Sequence, residues 1–221
     1  MLNSESNQAL SKSALRRKRE REQRYQTILN AAEPLFARKG YHQTSIESIA
    51  DTAEVSVGMV YFYFKNKEDL LIHLLDEIGF RLRSLLGAEF EKAGASLKGF
   101  ELAGKAFFEK FCVPYPDKAV ILYRESVGQS DLVETHRKLV FDKLKEDVIG
   151  ALFRMKENMG FRFQSEVSAD VIVISILGIY ERIAYQYLIW QERSIDLQKI
   201  GQDAVAFLVG GINSLCIMEN G

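Results

Sequence analysis

Apolar residues recur at three- and four-residue intervals through most of the chain, the repeat that lines one face of an α-helix. From Met1 to Ala14 the sequence is polar and lacks that repeat, so a disordered arm is expected over residues 1–15. Periodicity sets in near Arg17, where Tyr25, Ile28, Leu29, Ala32, Leu35 and Phe36 form an inner stripe closed by Gly40 as a C-cap. Pro34 removes the N–H that would reach the Asn30 carbonyl, and a bend is expected there. Ile46, Ile49, Ala50 and Ala53 then predict a short helix opened by a capping box of Thr44 and Glu47. A second short helix follows, capped by Ser56, with Val60 and Phe64 facing in. Asn66 caps a longer one that has Glu68 and Asp69 in its first turn and Leu70, Leu71, Leu74, Leu75, Ile78, Leu82 and Leu85 inside.

The remaining residues continue in helices. One is expected from Ser96 to Cys112, and the prolines at 114 and 116 interrupt it before a short helix over Lys118 to Val127. Asp131 and Glu134 stand at cap and third-position spacing and open a long helix that Gly160 ends. Ser165 to Trp190 and Ile195 to Met218 complete the pattern. The expected fold class is therefore all-α. Residues 16–66 are expected to form a first, three-helix domain, and residues 67–221 a second helical domain. Val171 to Tyr180 is apolar almost all round except Ser175. A membrane span needs about 20 apolar residues, and Glu181 and Arg182 end the run too early, so no membrane partner is expected. Burial on several sides, including against a partner copy, explains the run better.

The two short helices are joined by a tight turn, and the outer face of the second shows Val57, Gly58, Met59, Tyr61 and Tyr63. Such a unit suits a helix-turn-helix whose second helix enters the DNA major groove by its N-terminal end. Residues 24–71 resemble the DNA-binding domain of the TetR family of bacterial transcriptional regulators. The matching residues are Ile28-Leu29, Ala31-Ala32, Leu35-Phe36, Lys39-Gly40-Tyr41, Thr44-Ser45-Ile46, Ile49-Ala50, Val55-Ser56, Gly58, Val60-Tyr61, Tyr63-Phe64 and Lys65 to Leu70. The family usually has glycine in the inter-helix turn, where this chain has Glu54. If that position needs φ > 0, a side chain there costs on the order of 1 kcal/mol. The resemblance implies a helix-turn-helix DNA-binding domain over residues 16–66 and a ligand-binding and dimerisation domain over 67–221. It implies a homodimer, built through a four-helix bundle of the last two helices of each copy. It also implies that the fourth helix carries a ligand signal to the DNA-binding part.

Composition is that of an ordinary soluble chain, 47% hydrophobic and 27% charged. The net charge of −1 hides an asymmetry: residues 1–67 hold 11 basic and 7 acidic residues, and residues 68–221 hold 18 and 23. A basic first third on an acidic body fits one end that faces DNA and another that faces something else. Cys112 and Cys216 lie on apolar patterns without C-x-x-C spacing, which reads as two reduced core thiols of a cytoplasmic protein. The first residues lack a signal-peptide pattern.

Candidate DNA contacts follow from these placements. Arg24 and the arginines before it would meet phosphate or the minor groove. Thr44 and Ser45 would hydrogen-bond phosphate, Ser56 opens the recognition helix, and Val57, Gly58 and Met59 would face base edges. Tyr61 and Tyr63 would grip phosphate, and Lys65 and Lys67 would clamp it at the next helix N-terminus. None of the three base-facing residues has a bidentate donor set, so apolar contact with thymine methyls is the expected readout. The expected nucleic-acid partner is a double-stranded, palindromic operator.

For a hydrophobic small-molecule effector, Phe107, Phe108, Phe111, Leu122, Tyr123, Ile176, Tyr180 and Tyr187 supply apolar and aromatic lining, and Arg124 an anion partner. Plain core packing is the competing explanation for the phenylalanines, and pairing with Glu125 or Glu181 for Arg124. The body, with Arg124-Glu125-Ser126 and Ser130 to Lys138, also resembles the fatty acyl-CoA-responsive branch of the family. Two other classes compete with this reading. An enzyme is disfavoured because His42, His73 and His136 lack metal-ligand spacing and no nucleophile elbow or phosphate loop occurs, so no cofactor or metal is expected. A helical protein-binding adaptor leaves the basic arm unexplained.

Overall fold

A computed structural model describes residues 12–190 and 196–218. Residues 1–11 of the expected arm lie outside that description, as does Ile195, the expected start of the last helix. The chain is already helical at Lys12, inside the stretch read as disordered. Helix α1 (Lys12–Lys39) continues through Pro34 without a break, and its residues Ile28, Leu29, Ala31, Ala32, Leu35 and Phe36 are buried. Helices α2 (Ile46–Thr52) and α3 (Val57–Tyr63) pack on it through Ile46, Ile49, Ala50, Val60 and the adjacent Phe64. Each fully buried aliphatic or aromatic side chain of this kind contributes about 1.5–3 kcal/mol. Glu54 joins α2 to α3 at φ +54°, so the side chain does sit in the left-handed region.

Helix α4 (Lys67–Glu91) begins in this head and runs into the body, burying Leu70, Leu71, Leu74, Leu75, Ile78 and Leu82. Against it pack α5 (Leu97–Ala106), which continues as a π-helical turn over Phe107–Cys112, and α7 (Asp131–Met159). The α4–α7 approach is close at Gly79, where a Cβ would stand 2.7 Å from a methyl of Val140. Between them runs α6 (Pro116–Val120), widened into a π-helical stretch over Ile121–Glu125. Helices α8 (Ser168–Ala184, widening at Tyr185–Ile189) and α9 (Leu197–Leu215) close the body.

Two capping assignments shift by one residue. Ser45 with Ser48, not Thr44 with Glu47, forms the box at α2. Ser130 caps α7, and Glu134 instead accepts the Gly128 N–H at 2.7 Å. One feature departs from an all-helical chain. Strand β1 (Phe161–Phe163) pairs antiparallel with β2 (Cys216–Met218), Phe161 opposite Met218 and Phe163 opposite Cys216. The pair is too short to leave a two-residue repeat. It forms because Gly160, at φ +66°, ends α7 and turns the chain back beside the end of α9.

Head and body are joined by polar links. Arg124 donates to the Ala37 carbonyl at 2.9 Å and to Glu125 at 2.5 Å, and the second Glu125 oxygen accepts the Tyr41 N–H at 2.7 Å. Arg38 pairs with Asp117 at 2.9 Å, and the buried Lys118 pairs with Glu33. These bonds satisfy the C-terminal end of α1 and fix α6 to the head.

Candidate nucleic-acid interface and body cavity

The exposed face of the head is built by α3. Ser56 accepts the Met59 N–H and starts the helix, Val60 and Phe64 anchor it, and the outer positions are left to solvent. Tyr61 is 52% exposed and Phe62 68%. Arg21, on the basic stretch of α1, lies over the Phe62 ring at 5.9 Å, so the arginine-rich helix and α3 share one surface. Gly58, Ser45, Lys65 and Arg24 are exposed there, while Val57 and Met59 are half-buried. Phe62 was not singled out from the sequence. Its place one residue beyond Tyr61, outside the inward Val60–Phe64 pair, was the available signal.

Two expected phosphate contacts are corrected. Thr44 is 2% exposed, its hydroxyl donates to the Leu35 and Gly40 carbonyls, and its N–H reaches the Tyr41 carbonyl. It has no donor left for DNA. Lys67 turns inward: its ammonium donates to the carbonyls of Tyr41 at 2.8 Å and Thr44 at 2.9 Å, and lies 4.4 Å from the centre of the Tyr41 ring. Burial there lowers its pKa. The loop between α1 and α2 has no helix to satisfy those carbonyls, and Lys67 does so. Tyr63 is half-buried, its ring 6.4 Å from Tyr25 and 5.1 Å from Phe62, so it props α3.

Between α4, α5, α7, α8 and α9 the body holds a cavity of about 430 Å³ that opens to solvent at one side. Its walls are apolar, with Phe90, Phe100, Leu144, Ile176, Val205 and Leu208 among them. Its rim is charged: Arg83 of α4 forms a two-point pair with Asp147 of α7 at 2.5 and 2.9 Å, and Arg154 reaches Glu91 at 3.3 Å. A smaller recess of about 230 Å³ adjoins it at Phe80 and Arg83, and is also lined by Asp76, His136 and Lys143.

Of the expected lining, Ile176 and Tyr180 face this cavity. The others do not. Phe107, Phe108 and Phe111 are 0–1% exposed and stack on one another as solid core, with Phe107 and Phe108 also packed on Tyr180. Leu122 and Tyr123 are buried on α6, Tyr123 against Phe141, and burial pushes the Tyr123 phenol up. Tyr187 is half-buried in the π-helical stretch after α8, away from the cavity wall. Arg124 serves the head–body joint, since the end of α1 presents a carbonyl it can reach. The arginines that do face the cavity, Arg83 and Arg154, lie on helices whose polar faces read as solvated surface.

Comparison with known proteins agrees with this layout. Residues 28–74 match the family described as bacterial regulatory proteins, tetR family. A fatty acid metabolism regulator of Bacillus subtilis is 48% identical over 54 residues, 24% of this chain and 28% of the relative, so the chain spans little more than a quarter of that relative's length. Among solved structures, the fatty acid degradation regulator FadR of Bacillus halodurans superposes with TM-score 0.76 at 24% identity, over 85% of this chain and 95% of that one. FadR of Bacillus subtilis, solved in complex with stearoyl-CoA, gives 0.73 at 22% identity, over 85% and 98%. At these identities the structural likeness is one of fold.

Proposed function

Because the chain carries the DNA-binding domain of the tetR family of bacterial regulatory proteins, on a body that shares their fold, we propose that it is a homodimeric repressor released by an acyl-CoA. The observation that carries this reading is the cavity itself. An apolar cavity whose rim carries Arg83 and Arg154 beside Glu146 and Asp147 suits a ligand with a hydrocarbon tail. The two arginines offer donors to a phosphate-bearing head that competes with their carboxylate partners. A structural neighbour that binds stearoyl-CoA supports the same class.

In this reading α3 enters the major groove, and Arg24, Ser45, Tyr61 and Lys65 hold phosphates around it. A second copy supplies the other half-site of a palindrome, about 34 Å away. Its docking face is supported by uncovered apolar residues on α8 and α9. Ile174 is 65% and Phe207 74% exposed, and a Cβ on Gly178, Gly210 or Gly211 would meet nothing within 4 Å. The stretch Ser168–Ile189 is long and apolar enough to cross a membrane by length and composition, and a helical dimer seam needs the same character.

The signal has a physical route. Helix α4 lines the cavity with Phe80, Arg83 and Phe90 and begins beside α3. An anionic head that draws Arg83 from Asp147 unties α4 from α7 on the ligand side only, giving the differential affinity that a shift of state requires. The test is fluorescence anisotropy with labelled DNA from upstream of the protein's own gene. Stearoyl-CoA should weaken binding at least about tenfold, and free CoA should not. Binding indifferent to every acyl-CoA tried would reject the effector class, and absence of salt-sensitive DNA binding would reject the regulator.

A further inference from the structure

The inner wall of the cavity holds a polar group that the apolar reading leaves unused. Tyr180 is 8% exposed and its ring is held on two sides, stacked on Phe107 at 4.8 Å and edge-on to Phe108 at 5.2 Å. Its hydroxyl projects to the α5 backbone at Gly104, where a Cβ would collide with it, and Gly104 and Tyr180 both line the cavity. That hydroxyl makes no hydrogen bond to the described residues, and it is reached from the cavity rather than sealed away from water. Its neighbours on the wall, Ile176, Val205 and Leu208, are hydrocarbon, and the cavity's charged groups sit on α4 and α7 rather than on α8.

A phenol with a buried ring usually finds a partner for its O–H, and this one faces the cavity, where water or a ligand group can accept its hydrogen bond. A phenylalanine would fill the same room and keep both ring contacts, but it would offer the cavity no donor. In the loaded cavity the partner is then most simply a group of the ligand. We infer that Tyr180 is a specificity residue whose hydroxyl donates a hydrogen bond to an oxygen on the buried part of the effector. The preferred effector is therefore an acyl-CoA whose chain carries a carbonyl or similar acceptor, bound more tightly than the unsubstituted saturated chain of the same length. This deepens the acyl-CoA reading above and rests on the same cavity. Phe107 and Phe108 act as positioning residues that aim the hydroxyl.

The experiment compares matched ligands in wild type and Tyr180→Phe by isothermal titration. One set is dodecanoyl-CoA and dodecanoyl-CoAs with a single keto group at successive chain positions. The other is CoA-free, methyl heptyl ketone against nonane. The expected result is a keto position that tightens wild-type binding by about tenfold or more, a gain erased in Tyr180→Phe while plain dodecanoyl-CoA binds both proteins alike. The ketone should outbind nonane in wild type only. Oxygen-bearing ligands with no Tyr180-dependent advantage in either set would overturn the assignment. If no CoA thioester binds but the ketone keeps its Tyr180-dependent advantage, the acyl-CoA reading fails and the role of Tyr180 stands. Thermal unfolding should be unchanged in the variant, because the ring stack remains.

Discussion

Head and body solve the same problem, burying one face of several helices, with different means. In the head two of the three helices are short, and polar side chains are spent on satisfying the backbone around them: Thr44 on Leu35 and Gly40, Lys67 on Tyr41 and Thr44, Arg124 on Ala37. In the body α7, α8 and α9 are long and satisfy most of their own backbone, and shape decides the packing. There Phe107, Phe108, Phe111 and Tyr180 stack, Gly79 lets α4 meet α7, and a chamber remains unfilled. The contrast teaches where each part tolerates change. A rigid, hydrogen-bonded head can present α3 in one pose, while a body held by hydrocarbon contacts around a void can repack when the void is filled.

The sharpest test of the contrast removes one body anchor. Phe108→Ala should cost about 3–5 kcal/mol in chemical unfolding, since the ring is fully buried. A loss near zero would mean that the body core is looser than its stacking implies. In the head, Lys67→Met should cost about 2 kcal/mol, because buried carbonyls lose a charged donor. A thermal midpoint unmoved by that change would return Lys67 to the DNA surface. Glu54→Gly should go the other way, raising stability by up to about 1 kcal/mol through relief of the left-handed residue. No gain in calorimetry would show that the turn favours the side chain for another reason.

The smallest effect on stability is expected at Lys65→Ala, within about 0.5 kcal/mol of wild type. There the change should appear in DNA binding, with the salt slope falling by about 1. A slope equal to wild type would remove Lys65 from the phosphate contacts. Phe207→Glu probes the proposed dimer seam from the same side: sedimentation should give monomers with an unchanged helical spectrum. Persistent dimers would move the seam elsewhere.

Much of the local structure was legible because it depends on near neighbours. The stripe from Ile28 to Phe36, the caps at Ser56 and Asn66, the stop at Gly160 and the strain at Glu54 all follow from residues within a turn or two of each other. Even there, Thr44 and Ser45 exchanged roles, because the Thr44 hydroxyl finds carbonyls nine and four residues back that local spacing does not reveal. The cavity was less legible. A phenylalanine that lines a void and one that fills a core have the same helical repeat, so Phe107 and Phe111 read like ligand contacts, while Arg83 and Arg154 carry no signal that sets them apart from other charged helix positions.

The sequence by itself determined the helices, their inward faces and the kind of head the chain builds, since periodicity, capping and turn chemistry act over a few residues. Only the tertiary structure decided which polar groups are consumed internally and which remain free. Lys65 and Lys67 are two residues apart and alike in chemistry, yet one meets solvent and the other meets carbonyls contributed by the loop after α1. Tyr180 likewise became a candidate contact only once α5 and α8 had come together and left its hydroxyl beside a void. Such assignments depend on partners distant along the chain, and those are fixed by how the helices pack.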